Sequence, residues 1–502
     1  MTNRLTPLAR NSLIVAFFFF INKLFAFAHT IIISRIYADE VHLLDTFNAA
    51  NNLPDLLFAL ISGGALAMAF IPLLTEYLTT KDRAATWDLF SRVANFGFVL
   101  TGSIAILIAI FAEQIVSAEL GIAPGFDEGQ RQLLAGLMRL NLIGTVIFSI
   151  SGLVMASLQA NQHFILPAIA PSVYNIGQIF GALFLVPIFG IEGLVYGVII
   201  GAAMHLLVQV PALIKFGFRW TPSLDIRNTG LLEALKLMAP RLFTMVGIQF
   251  IFIARDNLAS RLDQVGAVTS LTFGWMIMQV PETILGTAIA TAMLPTLSEY
   301  ASRREWTEFR ATIERALRFL IGISIPVAAV MAAGINPLVR VIFGFDAATS
   351  TLLTWTTRAY LLTLTGYVIH EVAVRSFYAR KEPMVPLYAV LLRLVLFLAI
   401  GIAGVTLFRD IGTPVIAFAE IALLIEAIVL FTLLSRRMHE PLGIWGAVGK
   451  GLVAALIGGA TAYGLAVIVP GSAVLTALLG MVVGGLICLP IIWSEVKLLL
   501  KL

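Results

Sequence analysis

"AFIPLLTEY" at residues 69–77 and "AMLPTLSEY" at residues 292–300 are two copies of one motif, and this duplication decides the fold. A proline, a glutamate and a tyrosine recur at an offset of 223: Pro72 and Pro295, Glu76 and Glu299, Tyr77 and Tyr300. A weaker echo joins residues 158–167 to residues 378–386 at an offset of 219. Internal repeats reveal architecture before any single motif does. These copies predict that the chain consists of two homologous halves.

Composition places the chain in a membrane. Of its 502 residues, 59% are hydrophobic and 12% are charged, whereas a soluble protein typically carries about 25% charged residues. Residues 1–10 lack the features of a cleaved signal peptide and are interpreted as a cytoplasmic tail. The single cysteine, Cys488, offers neither a disulfide nor a thiolate cluster, so the sequence predicts no metal site and no cofactor. The net charge of +4 is divided between the loops rather than gathered into a patch, which argues against nucleic acid as a partner.

The apolar stretches predict the number of membrane spans. A spanning helix needs about 20 mostly apolar residues, and the chain contains fourteen such segments, near residues 10–36, 47–78, 86–115, 130–158, 163–188, 191–215, 230–259, 264–299, 307–335, 348–379, 384–408, 412–435, 444–469 and 472–498. Loops rich in lysine and arginine alternate with acidic loops along the chain. By the positive-inside rule the basic loops are cytoplasmic. Both termini are then cytoplasmic, which requires an even number of spans and agrees with fourteen.

The predicted fold is an all-α integral membrane protein with fourteen transmembrane helices. Residues 1–220 form one lobe of six helices, and residues 221–438 form a second. Six spans separate equivalent helices, so these run in the same direction, and a pseudo-two-fold axis along the membrane normal relates the lobes. Residues 439–502 add two C-terminal helices outside the duplication.

Helix-breaking residues recur at similar positions in both halves. Residues 51–72 contain Pro54, Gly63 and Gly64, and residues 279–295 contain Pro281 and Gly286. Proline removes a backbone hydrogen bond and glycine lowers the cost of bending. A static kink is the alternative at each position. Recurrence favours a pair of hinged helices that line a cavity between the lobes.

Ionisable side chains within the predicted spans indicate the type of cargo. Each costs at least about 2.5–3.5 kcal/mol near a helix centre unless it snorkels, pairs or meets water. The candidates for binding cargo on predicted helices 1, 7 and 8 are Lys23, His29, Arg241, Arg255, Asp256 and Glu282. Basic groups outnumber acidic ones among the residues expected to face the cavity, which predicts an anionic cargo. For Arg255 and Asp256, a charge that reaches the membrane interface is an equally good interpretation.

No catalytic motif is visible in the sequence. The chain contains no HExxH, P-loop or GxSxG pattern, so it is predicted not to be an enzyme. "GLVYGVIIG" at residues 193–201 and "GMVVGGL" at residues 480–486 have small-residue spacings that suit close helix packing.

Five stretches resemble the MurJ (MviN) family of lipid II flippases, in the multidrug/oligosaccharidyl-lipid/polysaccharide exporter superfamily. They are "LDTFNAANNLPDLLFALISGGALAMAFIPLLTEY" (44–77), "LMAPRLF" (237–243), "DNLASRL" (256–262), "VPETILGTAIATAMLPTLSEYAS" (280–302) and "RSFYARKEPMVP" (375–386). The resemblance runs from about residue 10 to residue 440, and more loosely to the C-terminus. A plan of six, six and two helices also fits this family.

The resemblance implies a function. A member of this family carries lipid II, an undecaprenyl-pyrophosphoryl-disaccharide-pentapeptide, to the outer leaflet of the cytoplasmic membrane for peptidoglycan synthesis. A basic cleft would hold the head group, and the last two helices would help to form a groove for the lipid tail. Asp45 matches an acidic cavity position and is therefore a candidate for binding the substrate, whereas Lys23 and His29 stand where arginines are expected. Membrane lipids and cell-wall synthesis enzymes are the implied partners.

The chain departs from the family pattern at several charged positions. Ala59, Gly63 and Met276 fall where the family has ionisable residues, so the cavity is expected to be less basic than usual. Some members bind sodium through oxygen ligands on helices 7 and 11. Here Asp256 offers one oxygen ligand, but helix 11 offers Arg393 instead, and no sodium site is predicted there.

The functional hypothesis is therefore a lipid II flippase that works by alternating access and is driven by the membrane potential. Three alternatives stay open. The first is an exporter of another polyprenyl-linked glycan. The second is a drug antiporter of the same superfamily, against which fourteen spans and the basic bias argue. The third is a scaffold that positions cell-wall enzymes and transports nothing.

Overall fold

The computed structural model describes residues 7–61, 65–224, 229–438, 442–469 and 471–501. Within these ranges it describes side chains except at residues 7–16, 19, 61, 65–69, 72, 229, 233–241, 500 and 501. This part of the chain consists of α-helices with short π and 3₁₀ turns, and it contains no strand. The prediction of an all-α protein is confirmed.

The chain forms two compact units, Met1–Ile253 (unit 1) and Ala254–Leu502 (unit 2). The helices of unit 1 are α1 (Pro7–Ile36), α2 (Val41–Ala50), α3 (Asn52–Ile61), α4 (Ala65–Thr80), α5 (Arg83–Ile110), α6 (Ala112–Ser117), α7 (Glu128–Ala160), α8 (Ile165–Phe180), α9 (Val186–Phe189), α10 (Glu192–Leu207) and α11 (Val210–Lys215). The boundary between the units falls inside α12 (Thr229–Ser260). The helices of unit 2 are α13 (Ala267–Glu282), α14 (Ala288–Arg303), α15 (Trp306–Phe343), α16 (Ala347–Leu361), α17 (Leu364–Ala379), α18 (Met384–Leu407), α19 (Thr413–Phe418), α20 (Ile421–Arg437), α21 (Trp445–Ile468) and α22 (Ala473–Val496).

The described residues include eleven helical stretches that are long and apolar enough to cross a membrane. They coincide with eleven of the fourteen predicted segments. The remaining segments are α1, the group α2 to α4, and the pair α16 and α17. The last two segments are divided into helices of at most 16 residues, which is shorter than the roughly 20 residues of a span. A multi-pass membrane protein is therefore confirmed, while the count of fourteen stays a prediction.

Each copy of the repeated motif lies in a helix of the same length. The first copy falls in α4 and the second in α14, and both helices have 16 residues. A break precedes α14, where a π turn (Thr283–Thr287) follows α13. Residues 62–64 precede α4 and lie outside the described part of the chain.

The helix break at Asn51 results from Pro54 and two asparagines. Pro54 lies in the first turn of α3 and has no N–H to donate to the carbonyl of Ala50. The Asn51 Nδ2 group donates instead to the carbonyl of Phe47 at 3.1 Å, and the Asn52 Nδ2 group donates to that of Ala49 at 3.0 Å. Side-chain amides thus satisfy carbonyls at the end of α2 that an uninterrupted helix would satisfy itself.

In unit 1 two basic loops lie together. The Arg83 Nη1 and Trp87 Nε1 groups both donate to the carbonyl of Phe216, at 3.4 and 3.3 Å. The Phe218 ring packs edge-on against the rings of Trp87 and Phe90, with centroids 5.5 and 5.3 Å apart. The loop before α5 and the loop after α11 therefore lie at the same end of unit 1. The positive-inside rule requires this arrangement, because both loops are basic.

Glycines allow α8 and α10 to approach closely. A Cβ atom at Gly201 would lie 2.6 Å from the carbonyl oxygen of Tyr174, and one at Gly197 would lie 2.8 Å from the Cα of Gly181. Glycine therefore lets the two backbones touch, which is a common mode of packing between membrane helices.

The last two helices pack onto α15 within unit 2. Glu495 on α22 is buried, and its carboxylate accepts hydrogen bonds from Arg318 on α15 at 3.0 Å and from Lys450 on α21 at 2.8 Å. A Cβ atom at Gly458 would lie 2.8 Å from the carbonyl oxygen of Gly484, so α21 and α22 are also in backbone contact. These helices belong to the packing of unit 2.

Candidate functional site

The predicted site residues of unit 1 lie in different environments. Lys23 is exposed on α1, whereas His29 on the same helix is 8% exposed and Asp45 on α2 is 3% exposed. The side chain of Arg241, together with Gly63 and Gly64, lies outside the described residues. Lys23 is thus accessible, and His29 and Asp45 belong to the interior of unit 1.

Arg255 and Asp256 form a buried ion pair at the start of unit 2. Arg255 Nε donates to Asp256 Oδ1 at 2.8 Å, and Arg255 Nη2 donates to Thr272 Oγ1 of α13 at 3.2 Å. The two residues are 6% and 1% exposed. At such depth an arginine is stabilised by an adjacent carboxylate. The positive charge of Arg255 is therefore compensated by its neighbour in the chain.

Glu282 ends α13 and borders the π turn Thr283–Thr287. Its carboxylate accepts hydrogen bonds from Thr287 Oγ1 at 2.8 Å and from Thr283 Oγ1 at 3.3 Å. Pro281 precedes it and cannot donate a backbone hydrogen bond, which favours an irregular helix here. A Cβ atom at Gly286 would lie 3.1 Å from Val368 Cγ1 on α17, so glycine permits close packing at the turn. The predicted hinge residues Pro281 and Gly286 therefore flank or occupy a real irregularity of the helix.

Unit 2 contains a second buried network of charges, centred on Arg393 of α18. Arg393 Nη2 donates to Glu420 Oε2 at 2.8 Å and to Tyr367 Oη at 3.1 Å. Arg393 Nη1 lies 4.0 Å from Glu426 Oε2, and His370 Nδ1 lies 3.5 Å from Glu426 Oε1. Arg393, Glu420 and Glu426 are at most 4% exposed. The guanidinium group thus forms a hydrogen-bonded ion pair with Glu420 and lies at the distance limit of an ion pair with Glu426.

No group of three or more His, Cys, Asp or Glu residues suited to a metal ion occurs among the residues that the structure describes. On α18, which corresponds to the eleventh predicted span, the side chain at residue 393 is the guanidinium of Arg393.

Sequence analysis missed Asp55. This residue lines a cavity inside unit 1, together with residues of α7, α8 and α10. The signal was present, because Asp55 is an acidic residue in the predicted span 47–78.

A comparison with family models identifies the chain. The model described as "Lipid II flippase MurJ" matches residues 40–483. The chain belongs to this family. The resemblance seen in the sequence is therefore confirmed, and the family is one of transporters rather than enzymes.

Similar proteins extend over most of the chain. The lipid II flippase MurJ of Burkholderia cenocepacia is 28% identical over 457 residues, covering 87% of this chain and 86% of that protein. A probable lipid II flippase MurJ of Buchnera aphidicola subsp. Schizaphis graminum is 25% identical over 383 residues, covering 75% of this chain and 74% of that protein.

Solved structures show the same fold. A lipid II flippase MurJ in an inward closed conformation matches 97% of this chain and 100% of its own, with a TM-score of 0.80 and 20% identity. An inward-facing multidrug transporter of the MATE family matches 83% of this chain and 94% of its own, with a TM-score of 0.72 and 14% identity. At these identities the likeness concerns the fold alone.

Proposed function

We propose that this protein moves lipid II from the inner to the outer leaflet of the cytoplasmic membrane by alternating access. The observation that carries the proposal is the match of residues 40–483 to the lipid II flippase family. Two named relatives with the same described function each align over at least three quarters of this chain. The fold match to a lipid II flippase supports the same conclusion.

The proposed cargo-binding residues supply charge for a pyrophosphate head group. Lys23 is the strongest candidate in unit 1, because it is a basic residue exposed on the apolar helix α1. His29, Asp45 and Arg241 complete the proposed set in that unit. In unit 2 the proposed residues are Arg255, Asp256 and Glu282, of which the first two already form an ion pair.

The proposed movement uses irregular helix segments. Pro54 belongs to the interrupted group α2 to α4, Pro281 lies in the last turn of α13, and Gly286 lies in the π turn that follows. Such segments bend at lower cost than regular helices, because fewer backbone hydrogen bonds resist bending. Gly63 and Gly64 are proposed as parts of the first hinge.

The proposed topology retains fourteen spans with both termini in the cytoplasm. Residues 1–220 and 221–438 would form the duplicated lobes, and residues 439–502 would contribute a groove for the lipid tail. Membrane lipids and cell-wall synthesis enzymes are the proposed partners besides lipid II.

Complementation of a bacterial strain depleted of its own flippase tests the function. We expect the chain to restore growth and to restore the appearance of lipid II in the outer leaflet, measured by a leaflet-specific labelling assay. An exporter of a different glycan would leave lipid II in the inner leaflet. A scaffold would likewise fail in the leaflet assay while reaching normal protein levels in the membrane.

Lys23→Ala is expected to abolish complementation while the protein remains in the membrane at normal levels. The substitution removes a positive charge proposed to contact the anionic head group. Lys81→Ala is the matched control, because Lys81 is exposed in the loop between α4 and α5 and the change removes the same charge. Full growth with Lys23→Ala would remove this residue from the proposed site.

The membrane potential is expected to drive outward movement. Transfer of an anion out of a negative-inside cell is favoured by about 2.3 kcal/mol per charge per 100 mV. Dissipating the potential with an ionophore should therefore slow the appearance of lipid II in the outer leaflet of complemented cells. An unchanged rate, with the loss of potential verified by a dye, would contradict this account of the driving force.

A further inference from the structure

A half-open cavity lies in unit 1 between the α2–α3 junction, α7, α8 and α10, and several polar groups interrupt its mostly apolar lining. Its volume is about 380 Å³, which is room for roughly ten water molecules. The lining residues are Asn51, Pro54, Asp55, Phe58, Asn141, Gly144, Thr145, Phe148, Gly152, Met155, Pro171, Tyr174, Val198 and His205. The cavity shares Pro54 with the proposed first hinge, but none of the proposed cargo-binding residues lines it.

Helical periodicity directs the polar groups into this cavity. Asn51 and Asp55 are four residues apart on one face, and the amide N–H of Asp55 donates to the carbonyl of Asn51 at 2.8 Å. Asn141, Thr145 and Phe148 form a continuous stripe on α7 at spacings of four and three residues. Both stripes contribute residues to the lining of the same cavity.

Asn141 carries a buried acceptor that lacks a donor. The side chain is 2% exposed, and its Nδ2 group donates to Asn51 Oδ1 at 2.8 Å. This bond fixes the orientation of the amide and leaves Asn141 Oδ1 buried without a hydrogen-bond partner in the described part of the chain. An unsatisfied buried acceptor is unfavourable by about 1–3 kcal/mol unless a ligand or water satisfies it.

Asp55 adds a carboxylate that no cationic side chain balances. It is exposed and lines the cavity, and no lysine or arginine occurs among the lining residues. The structure records no ion pair for Asp55 within the described residues. At membrane depth an unbalanced carboxylate is costly, which favours a bound cation or a proton at Asp55.

The other titratable groups that line the cavity take part in hydrogen bonds. His205 of α10 shares a 2.6 Å hydrogen bond between its Nδ1 and Ser151 Oγ, and Gln209 Nε2 lies 3.3 Å from the same nitrogen. The hydroxyl of Tyr174 on α8 accepts a hydrogen bond from Gln178 Nε2 at 3.1 Å. On the far side of α3 and α7, α5 contributes aliphatic side chains around Ala105. Asp55 is thus the acidic group that remains available.

An aromatic cluster holds the cavity wall in place. The Phe148 ring meets Phe58, Tyr174 and His205 edge-on, at centroid distances of 5.1, 4.9 and 5.2 Å. Such packing restricts the side chains that surround the oxygen atoms.

We propose that this cavity binds a small monovalent cation, with the Asp55 carboxylate and Asn141 Oδ1 as oxygen ligands. One carboxylate balances one positive charge, and carboxylate and amide oxygens are the donors that hard cations prefer. A sodium ion and a proton carried by Asp55 both satisfy this chemistry. The site would give the protein a route for coupling cation movement to transport, and the binding itself does not depend on the identity of the cargo.

The test uses the purified full chain in detergent without cargo. Binding of radioactive sodium is measured by equilibrium dialysis against choline at constant ionic strength. We expect one sodium per protein, with an affinity at least roughly tenfold lower in Asp55→Asn. Glu192→Gln is the matched control, because it removes one carboxylate of unit 1 that does not line the cavity; its sodium binding should equal that of the unmodified protein.

A second arm detects a proton in place of sodium. Both proteins are titrated potentiometrically between pH 5 and pH 9. The number of protons exchanged over this range should be larger by one in the unmodified chain than in Asp55→Asn. An aspartate in water titrates near 4 and would give no difference in this window. Absence of both signals, or signals of equal size in the two proteins, would overturn the proposal.

Asn141→Leu keeps the test decisive if Asp55→Asn does not give folded protein. This variant removes the amide oxygen and retains the carboxylate. For a sodium site, we expect the affinity of this variant for sodium to fall roughly tenfold. For a proton site, we expect the variant to take up its proton between pH 5 and pH 9 with a midpoint that differs from that of the unmodified chain. Binding that is unchanged in this variant would exclude the cavity as the site.

Discussion

Replacing Arg393 with methionine is expected to lower the free energy of unfolding by about 3–5 kcal/mol, because two buried carboxylates lose their positive partner. Arg393 lies 2.8 Å from Glu420 and 4.0 Å from Glu426. Methionine fills a similar volume, so the loss reports the charge rather than a cavity. Unfolding in mixed micelles of dodecyl sulphate, followed by tryptophan fluorescence, measures the effect.

Arg409→Gln is the control for this experiment. Its partner Asp263 is 2.8 Å away, but both side chains are more than half exposed, and exposed pairs contribute only about 0–1 kcal/mol. Adding Glu420→Gln to Arg393→Met should recover part of the lost stability, with a coupling energy of at least about 1 kcal/mol. Equal losses in Arg393→Met and Arg409→Gln would show that the buried network contributes little.

Gly197→Ala is expected to destabilise unit 1 by about 3 kcal/mol, because the new methyl group would overpack a contact between two backbones. It would lie 2.8 Å from Gly181 Cα and 3.1 Å from the carbonyl oxygen of Gly177. Neither atom belongs to a side chain that could rotate away, so α8 and α10 would have to separate. The same unfolding assay measures the loss.

Gly136→Ala provides the opposite expectation in the same unit. A Cβ atom at Gly136 would meet nothing within 4 Å on α7, and alanine favours a helix over glycine by up to about 1 kcal/mol. This variant should therefore be as stable as the original chain or slightly more stable. If Gly197→Ala behaved in the same way, close packing between α8 and α10 would be unimportant for stability.

Much of the fold could be predicted from the sequence because the signals are local. Eleven of fourteen predicted segments match long apolar helices, since the bilayer imposes its thickness on each helix separately. The division of residues 348–379 into α16 and α17 was not predicted. It occurs after Leu361, where Thr363 Oγ1 donates to the carbonyl of Tyr360 at 2.7 Å. Threonine is common inside membrane helices, so its hydrogen bond to the backbone leaves no distinct pattern in the sequence.

The candidate site could be predicted only in part. Ionisable residues in apolar segments drew attention to Arg255 and Asp256, and the structure shows that these two pair with each other. The pairing of Arg393 with Glu420 could not be predicted from their spacing in the sequence, because the two residues lie on different predicted spans. The cavity at Asp55 was also hidden, since its lining comes from four separate regions of unit 1.

The order of the motifs along the chain was enough to establish the family, the helical class and the residence in a membrane. Hydrophobicity and helix-breaking residues act over one or two helical turns, so helix formation and membrane insertion can be predicted from the local sequence. The partner of each buried charge depends on atoms that packing of the helices brings together. The same packing leaves an oxygen such as Asn141 Oδ1 without a donor. Such contacts arise between residues far apart in sequence, and only the tertiary structure decided them.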